Sequence, residues 1–276
     1  MILELNKTEF YKCKDLLPDK GHLEARAIIH GVNPGRIFVD DNNHPTTGFI
    51  WLGNNDGFHF IGDENNEGFN TKLDHFIEAF IKPEAKKVGL TWFEAIGTHN
   101  KWYETLEKTF HHRKLSNWNQ RVYTLKKSNF KGNEAFPDEQ DYQIVKMSEA
   151  LFYNIDQTIQ NIEFLHAKLS EFWSSTRSFF DEGIGYCIIH KNEIVSVCFS
   201  GFVFENVHCI DIETLKEHQG KKLAQKVAST YVEDCLTHNL VPYWDCMESN
   251  KPSIAVAENL GFTNTFNYKG YEFPID

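Results

Sequence analysis

The stretch HQGKKLAQKVA, His218 to Ala228, decides how this chain is read. A glycine and two lysines lead into apolar positions Leu223, Val227, Tyr231 and Cys235, spaced four apart, which is one face of a long helix. The first amides of such a helix have no partner within it, and they point along a dipole that favours negative charge. A turn of this kind holds phosphates on main-chain N–H groups. The same residues would also serve as an ordinary helix start with a cap glycine. Before the turn, VHCIDIET reads as a strand. After it the helix runs to His238-Asn239, and VPYWDCM follows as a strand of the buried type.

Further on stands WDCMESNKPSIAVAENLGF, Trp244 to Phe262. Asn250 suits a helix cap, Pro252 the first turn, and Gly261 a left-handed helix end. Upstream, YQIVKM reads as a strand, Ile155 to Leu169 as a helix through Ile155, Ile159, Ile162 and Leu169, and Thr176 to Phe180 as a shorter helix. IGYCIIH and EIVSVCFSGFVF are strands joined through His190-Lys191-Asn192-Glu193, short enough for a hairpin. Two strands, Phe262 to Tyr268 and Tyr271 to Phe273, are expected at the end.

This order, with the two quoted stretches either side of a strand, resembles the GCN5-related N-acetyltransferases (GNAT), specifically a bacterial two-domain subgroup with a degenerate N-terminal half. The resemblance covers the second half of the chain and implies an α+β fold there with a mixed sheet. It implies acetyl-CoA as cosubstrate and no metal. Gln219, Lys222 and Ala224 match the family's pyrophosphate motif, with Gly220 as a further glycine, so Gln219 to Ala224, including Lys221 and Leu223, would form the phosphate turn. Lys222 departs from the family's glycine. The strands HCIDIET and YWDCM would splay so that the pantetheine arm inserts against main-chain groups near Ile212, Glu213 and Thr214. Asn250, Ser253, Leu260, Gly261 and Phe262 match the second segment, and Asn250 and Ser253 would border the coenzyme.

Acetyl transfer to an amine needs a proton acceptor and benefits from an acid near the leaving thiolate. Glu213 is the candidate base; an exposed strand-end carboxylate is the alternative reading. Many relatives place an acidic Tyr four residues before the Gly-Phe pair, where this chain has Ala257. Ser253 or a water would then substitute, although a Ser in a first helical turn also bonds locally to the backbone.

The first half reads as a mixed α/β domain, 1–130, ahead of the acetyltransferase domain, 140–276, with the polar stretch Lys126 to Gln140 as connector. AIIHG, GRIFVD, TTGFIWLG and GFHFIGD suggest an antiparallel meander. TKLDHFIEAFIKPEAKKVG is expected as a helix stopped by Pro83, and HNKWYETLEKTFHHRK as a helix with Trp102, Leu106 and Phe110 inward. NPGRIFVDDNNHPTTGFIWLGNNDGFHFIGD is like the degenerate half of the subgroup and would shape an acceptor pocket. Asp63 to Gly68, continuing to Asp74, partly matches a calcium loop, but the preceding run is strand-like and Asp74 is short for a bidentate ligand, so a polar turn fits better. His111-His112 fit helix capping better than metal binding.

The chain has 276 residues, 41% apolar and 24% charged, with a net charge of -11. That balance argues against nucleic acid and suits a cationic acceptor. No apolar run is long enough to span a membrane. The start, with Glu4, Glu9 and Asp15, has no export pattern, so the expected location is the cytoplasm. Six scattered cysteines form no zinc motif and read as small buried residues. The expected function is transfer of an acetyl group to a primary amine on a small molecule. The alternatives are a non-catalytic CoA-binding or sensory protein, and a protein N-acetyltransferase.

Overall fold

The computed structural model describes residues 1–18, 21–53, 55, 57–132 and 141–275. Residues 133–140 of the expected connector lie outside these. The chain divides into two compact units: Met1–Gln120 together with Tyr268–Asp276, and Arg121–Asn267.

The first unit runs β1 (Leu3–Glu4), α1 (Leu23–Ile29), β2 (Arg36–Val39), β3 (Thr47–Trp51), β4 (Gly57–Gly62), α2 (Glu67–Phe76), α3 (Lys82–Lys87), β5 (Trp92–Gly97) and α4 (Trp102–Phe110), and enters β6 (Ser116–Thr124). Strands β1 to β4 pair antiparallel in sequence, and β4 and β5 run parallel. One sheet face is lined with phenyl rings. Phe58 stacks on Phe93 at 4.0 Å, and Phe93 on Phe273 at 5.1 Å, so cross-strand aromatic pairs bind the strands side to side. Leu73, Ile77, Ile81, Trp102, Leu106 and Phe110 close over this face from the helices.

Pro83 does not stop its helix. The π turn Ile77–Ile81 joins α2 to α3, and the Lys82 N–H reaches back five residues to the Ile77 carbonyl. The wider turn leaves Pro83 in the first turn of α3, where its missing N–H is no loss.

The second unit continues β6 and holds β7 (Tyr142–Lys146), α5 (Glu149–Phe152), α6 (Ile162–Phe172), α7 (Thr176–Glu182), β8 (Gly185–His190), β9 (Glu193–Phe204), β10 (Val207–Thr214), α8 (Leu223–Thr237), β11 (Val241–Met247), α9 (Lys251–Asn259) and the start of β12 (Thr263–Pro274). Its strand order is β6-β11-β10-β9-β8-β7. Pairs β7 to β10 are antiparallel and β10 and β11 are parallel. Lys191 and Asn192, with φ 49° and 67°, make the tight β8–β9 turn. Leu223, Val227, Tyr231 and Cys235 of α8 are buried, as their spacing requires. They share a core with Ile210, Trp244, Ile254 and Phe262.

Three further expectations need correction. The run AIIHG, expected in the meander, lies in α1 and the turn after it rather than in a strand. The helix expected from Ile155 begins at Ile162, because Asn154 and Gln157 take left-handed conformations. The Asn154 amide closes that turn on both the N–H and the carbonyl of Ile159, and Ile155 is left exposed. The two final strands are one, β12. Gly270 is no turn: a Cβ there would lie 2.2 Å from the Trp118 indole, so the glycine makes room for that ring. Beyond it, Gly270 to Pro274 pair with Ile96 to Trp92 of β5, within the first unit.

Candidate functional site

Strands β10 and β11 pair at Val207–Val241, His208–Pro242 and Cys209–Tyr243 and then separate. The register of β10 on β9 shifts between Cys209 and Ile210, where the pairing with β11 ends. The residue skipped is Gly201 of β9, so the irregularity lies on β9, opposite the place where β10 and β11 part. Past it, β10 continues on β9 to Thr214. The Leu215 N–H bonds to Val195 and the Glu213 carbonyl meets the Ser196 hydroxyl, so the main chain of these residues is turned to β9. Alternation turns Ile212 and Thr214 the other way, into the gap. Of the three strand residues expected to hold a pantetheine arm, Ile212 and Thr214 present main-chain groups there.

The turn before α8 sits just past this gap. Gly220 has φ +77° and open space around it, and Lys222 at the N-cap has φ 59°. No side chain caps the helix. Its first intrahelical bond is from the Lys226 N–H to the Lys222 carbonyl, leaving the amides of Leu223, Ala224 and Gln225 without an acceptor in the helix. The Gln219 side chain instead donates to the Thr214 carbonyl at 3.1 Å and ties the turn to the strand end. Lys221 Nζ reaches the Tyr142 hydroxyl at 3.0 Å, which meets His218 Nδ1 at 3.1 Å. Burial, with the Lys221 charge, lowers the His218 pKa. Tyr142, stacked on His190 at 4.2 Å, was read from sequence only as a strand residue.

Asn250 accepts from the Ser253 N–H and caps α9. The Ser253 hydroxyl accepts from Trp244 Nε1 at 3.0 Å. Burial raises the Cys246 pKa, against a hydrogen bond with Ser253. Ala257 is fully buried in the core.

On the face of β10 turned away from α8 stand Asp211 and Glu213. Glu213 is ion-paired to Lys168 of α6 at 2.6 Å, and Lys168 also meets Glu171 at 3.0 Å. Burial works against the Lys168 charge, but the two carboxylates prevail and raise its pKa to about 12. Asp211 was not singled out from sequence. Burial pushes its carboxyl up to about 7, against the pull of Lys168 and with the push of Glu171 and Glu213.

The first unit has the same succession, a parallel strand pair joined through a helix, in closed form. Strands β4 and β5 pair from Gly57–Glu94 to Phe60–Gly97, and both the N–H and the hydroxyl of Thr98 then donate to the Phe60 carbonyl. Helix α2 is capped by Asn66, whose amide also binds the Asp40 carboxylate at 2.9 Å. Here the strands stay paired and the helix start is capped, with an acidic neighbour beside the cap.

The Asp63 to Gly68 stretch is a polar turn into that cap, with Asp63 accepting from the Asn65 N–H. His111 bonds the Lys108 carbonyl at a helix end, and His112 pairs with Asp74. Among the described residues no group of three or more His, Cys, Asp or Glu side chains is placed to hold a metal ion, and no helix is long and apolar enough to cross a membrane. All six cysteines are buried and free.

The topology of the second unit, strands β7 to β10 antiparallel, α8 crossing to a parallel β11, and α9 leading to β12, is that of the GNAT fold. A family model described as GNAT acetyltransferase matches residues 14–271, and the chain belongs to that family. It is 28% identical over 275 residues to a Bacillus subtilis (strain 168) protein named "Uncharacterized N-acetyltransferase YdfB", covering 98% of each. A GCN5-related N-acetyltransferase-like protein from Streptococcus suis 89/1591 has a similar structure, with TM-score 0.70 and 19% identity over 96% of this chain and 98% of that one. A tandem GNAT protein from the clavulanic acid biosynthesis pathway matches at TM-score 0.59 and 11% identity, over 100% and 99%. These likenesses span both units, so the fold is a two-domain GNAT whose first half has the closed form.

Proposed function

We propose that the second unit binds acetyl-CoA and transfers its acetyl group to a primary amine on a small molecule. One observation carries this: the strands part immediately before an uncapped helix start, while the corresponding place in the first unit is shut. The amides of Leu223, Ala224 and Gln225 would meet the diphosphate, with Gly220 leaving the approach open. Ile212 and the Thr214 N–H would meet the arm along the unpaired edge of β10. A main-chain donor at that edge stabilises charge developing on the thioester oxygen. Lys222 suits the place through its left-handed backbone, which exposes the amides that follow. The net charge of -11 favours a cationic acceptor, and a cytoplasmic location supplies the coenzyme.

The test is calorimetry with CoA, followed by thiol release from acetyl-CoA with a panel of polyamines and aminopolyols. Binding with turnover is expected. No heat with CoA would remove the coenzyme reading, and binding without turnover for any amine would favour a CoA-sensing protein.

A further inference from the structure

We propose that Asp211, and not Glu213, receives the proton from the acceptor amine, and that Lys168 holds Glu213 out of that role. The assignment rests on the acetyl-transfer reading above. Asp211 lies two residues past Cys209, the last residue of β10 paired with β11, so it stands where the gap opens, whereas Glu213 lies near its far end. Both point to the face opposite the α8 core. Glu213 is committed to Lys168 at 2.6 Å, but the Asp211 carboxylate makes no hydrogen bond with another described residue. Gly201 on β9 faces the same two side chains: a Cβ there would sit 3.5 Å from the Asp211 Cβ and 3.2 Å from the Phe172 ring, so the glycine lets Phe172 and Asp211 pack close together.

The charged groups acting on Asp211 are Lys168 and Glu171 from α6 and Glu213 from its own strand. Together with burial they leave its carboxyl titrating at about 7, where a base can both take a proton and release it. As the new N–C bond forms and the thioester C–S bond breaks, the nitrogen gives one proton to the Asp211 carboxylate. The coenzyme leaves as thiolate, and Asp211 returns the proton to solvent.

The experiment follows thiol release from acetyl-CoA against pH, with spermidine and kanamycin as acceptors, alongside CoA calorimetry. In the wild type the rate should fall as pH drops through about 7. D211N should lose on the order of 100-fold or more in rate and lose that limb, while still binding CoA. E213Q removes a like charge and frees Lys168, so it should keep the limb and move it to lower pH. K168M removes the opposing cation and should move it to higher pH. A D211N profile that keeps the limb, or an E213Q profile that lacks it, overturns the assignment while leaving acetyl transfer standing. No CoA binding by the wild type, or binding without thiol release, overturns the assignment together with the reading beneath it.

Discussion

Asp211 shows how a single carboxyl can weigh on the fold. Its folded pKa, about 7, lies above the ordinary aspartate value of 3.8, so the folded state holds the proton more tightly than the unfolded one. The stability this contributes is complete below about pH 4 and is lost as pH rises through about 7. Asp211→Asn should therefore be more stable than wild type at pH 8, by on the order of 4 kcal/mol, with the difference vanishing near pH 4. Urea unfolding at the two pH values measures it, and equal stability at both would refute the burial argument. Lys222 gives a second case. A left-handed residue with a side chain costs about 1 kcal/mol relative to glycine, so Lys222→Gly should raise the unfolding free energy by about that much, read as a higher urea midpoint at unchanged slope. Of these two positions, sequence singled out only Lys222. The alternation Ile210, Asp211, Ile212 already marked an acid on the face away from the core, yet period-two patterning does not say whether that face is covered.

At the scale of elements, β9, β10 and α8 are tied by a buried polar knot. The Ser200 hydroxyl meets His208 Nδ1 and the Tyr231 hydroxyl at 2.9 Å each, and it accepts from the Ile184 N–H. Burial holds His208 down to about 4, so it serves as a neutral partner. Ser200→Ala would strand several polar groups at once and should cost about 2–3 kcal/mol, read as a lower melting temperature. A loss below about 0.5 kcal/mol would mean the knot contributes little. Much of the element order was legible: the α8 face, the β8–β9 hairpin and the Asn250 cap all follow from local chemistry. Three elements were not. The left-handed Asn154 and Gln157 broke an apolar period that looked helical, the π turn carried a helix through Pro83, and Gly270 made room for an indole that no local window contains. The register shift beside the parting of β10 and β11 has no sequence mark either, since it is a property of two strands.

Across the whole molecule, the first unit depends on residues from the far end of the chain. Phe273 lies within 5.1 Å of Phe93 and 4.9 Å of Phe110, and Arg113 sits over its ring at 4.5 Å. Phe273→Ala should cost about 3–5 kcal/mol and loosen the first unit. Hydrogen exchange should show this as lost protection in β4 and β5, and unchanged protection there would contradict the packing. Patterning along the chain could not foresee the arrangement, because each strand's signal is local and its partner is not. The returning strand also bears on how the protein is made. A ribosome releases β5 long before Gly270 to Pro274 exist, so the nascent chain must carry a bare, aromatic-rich strand edge throughout synthesis of the second unit. The first unit therefore completes its sheet only after the second has been synthesised.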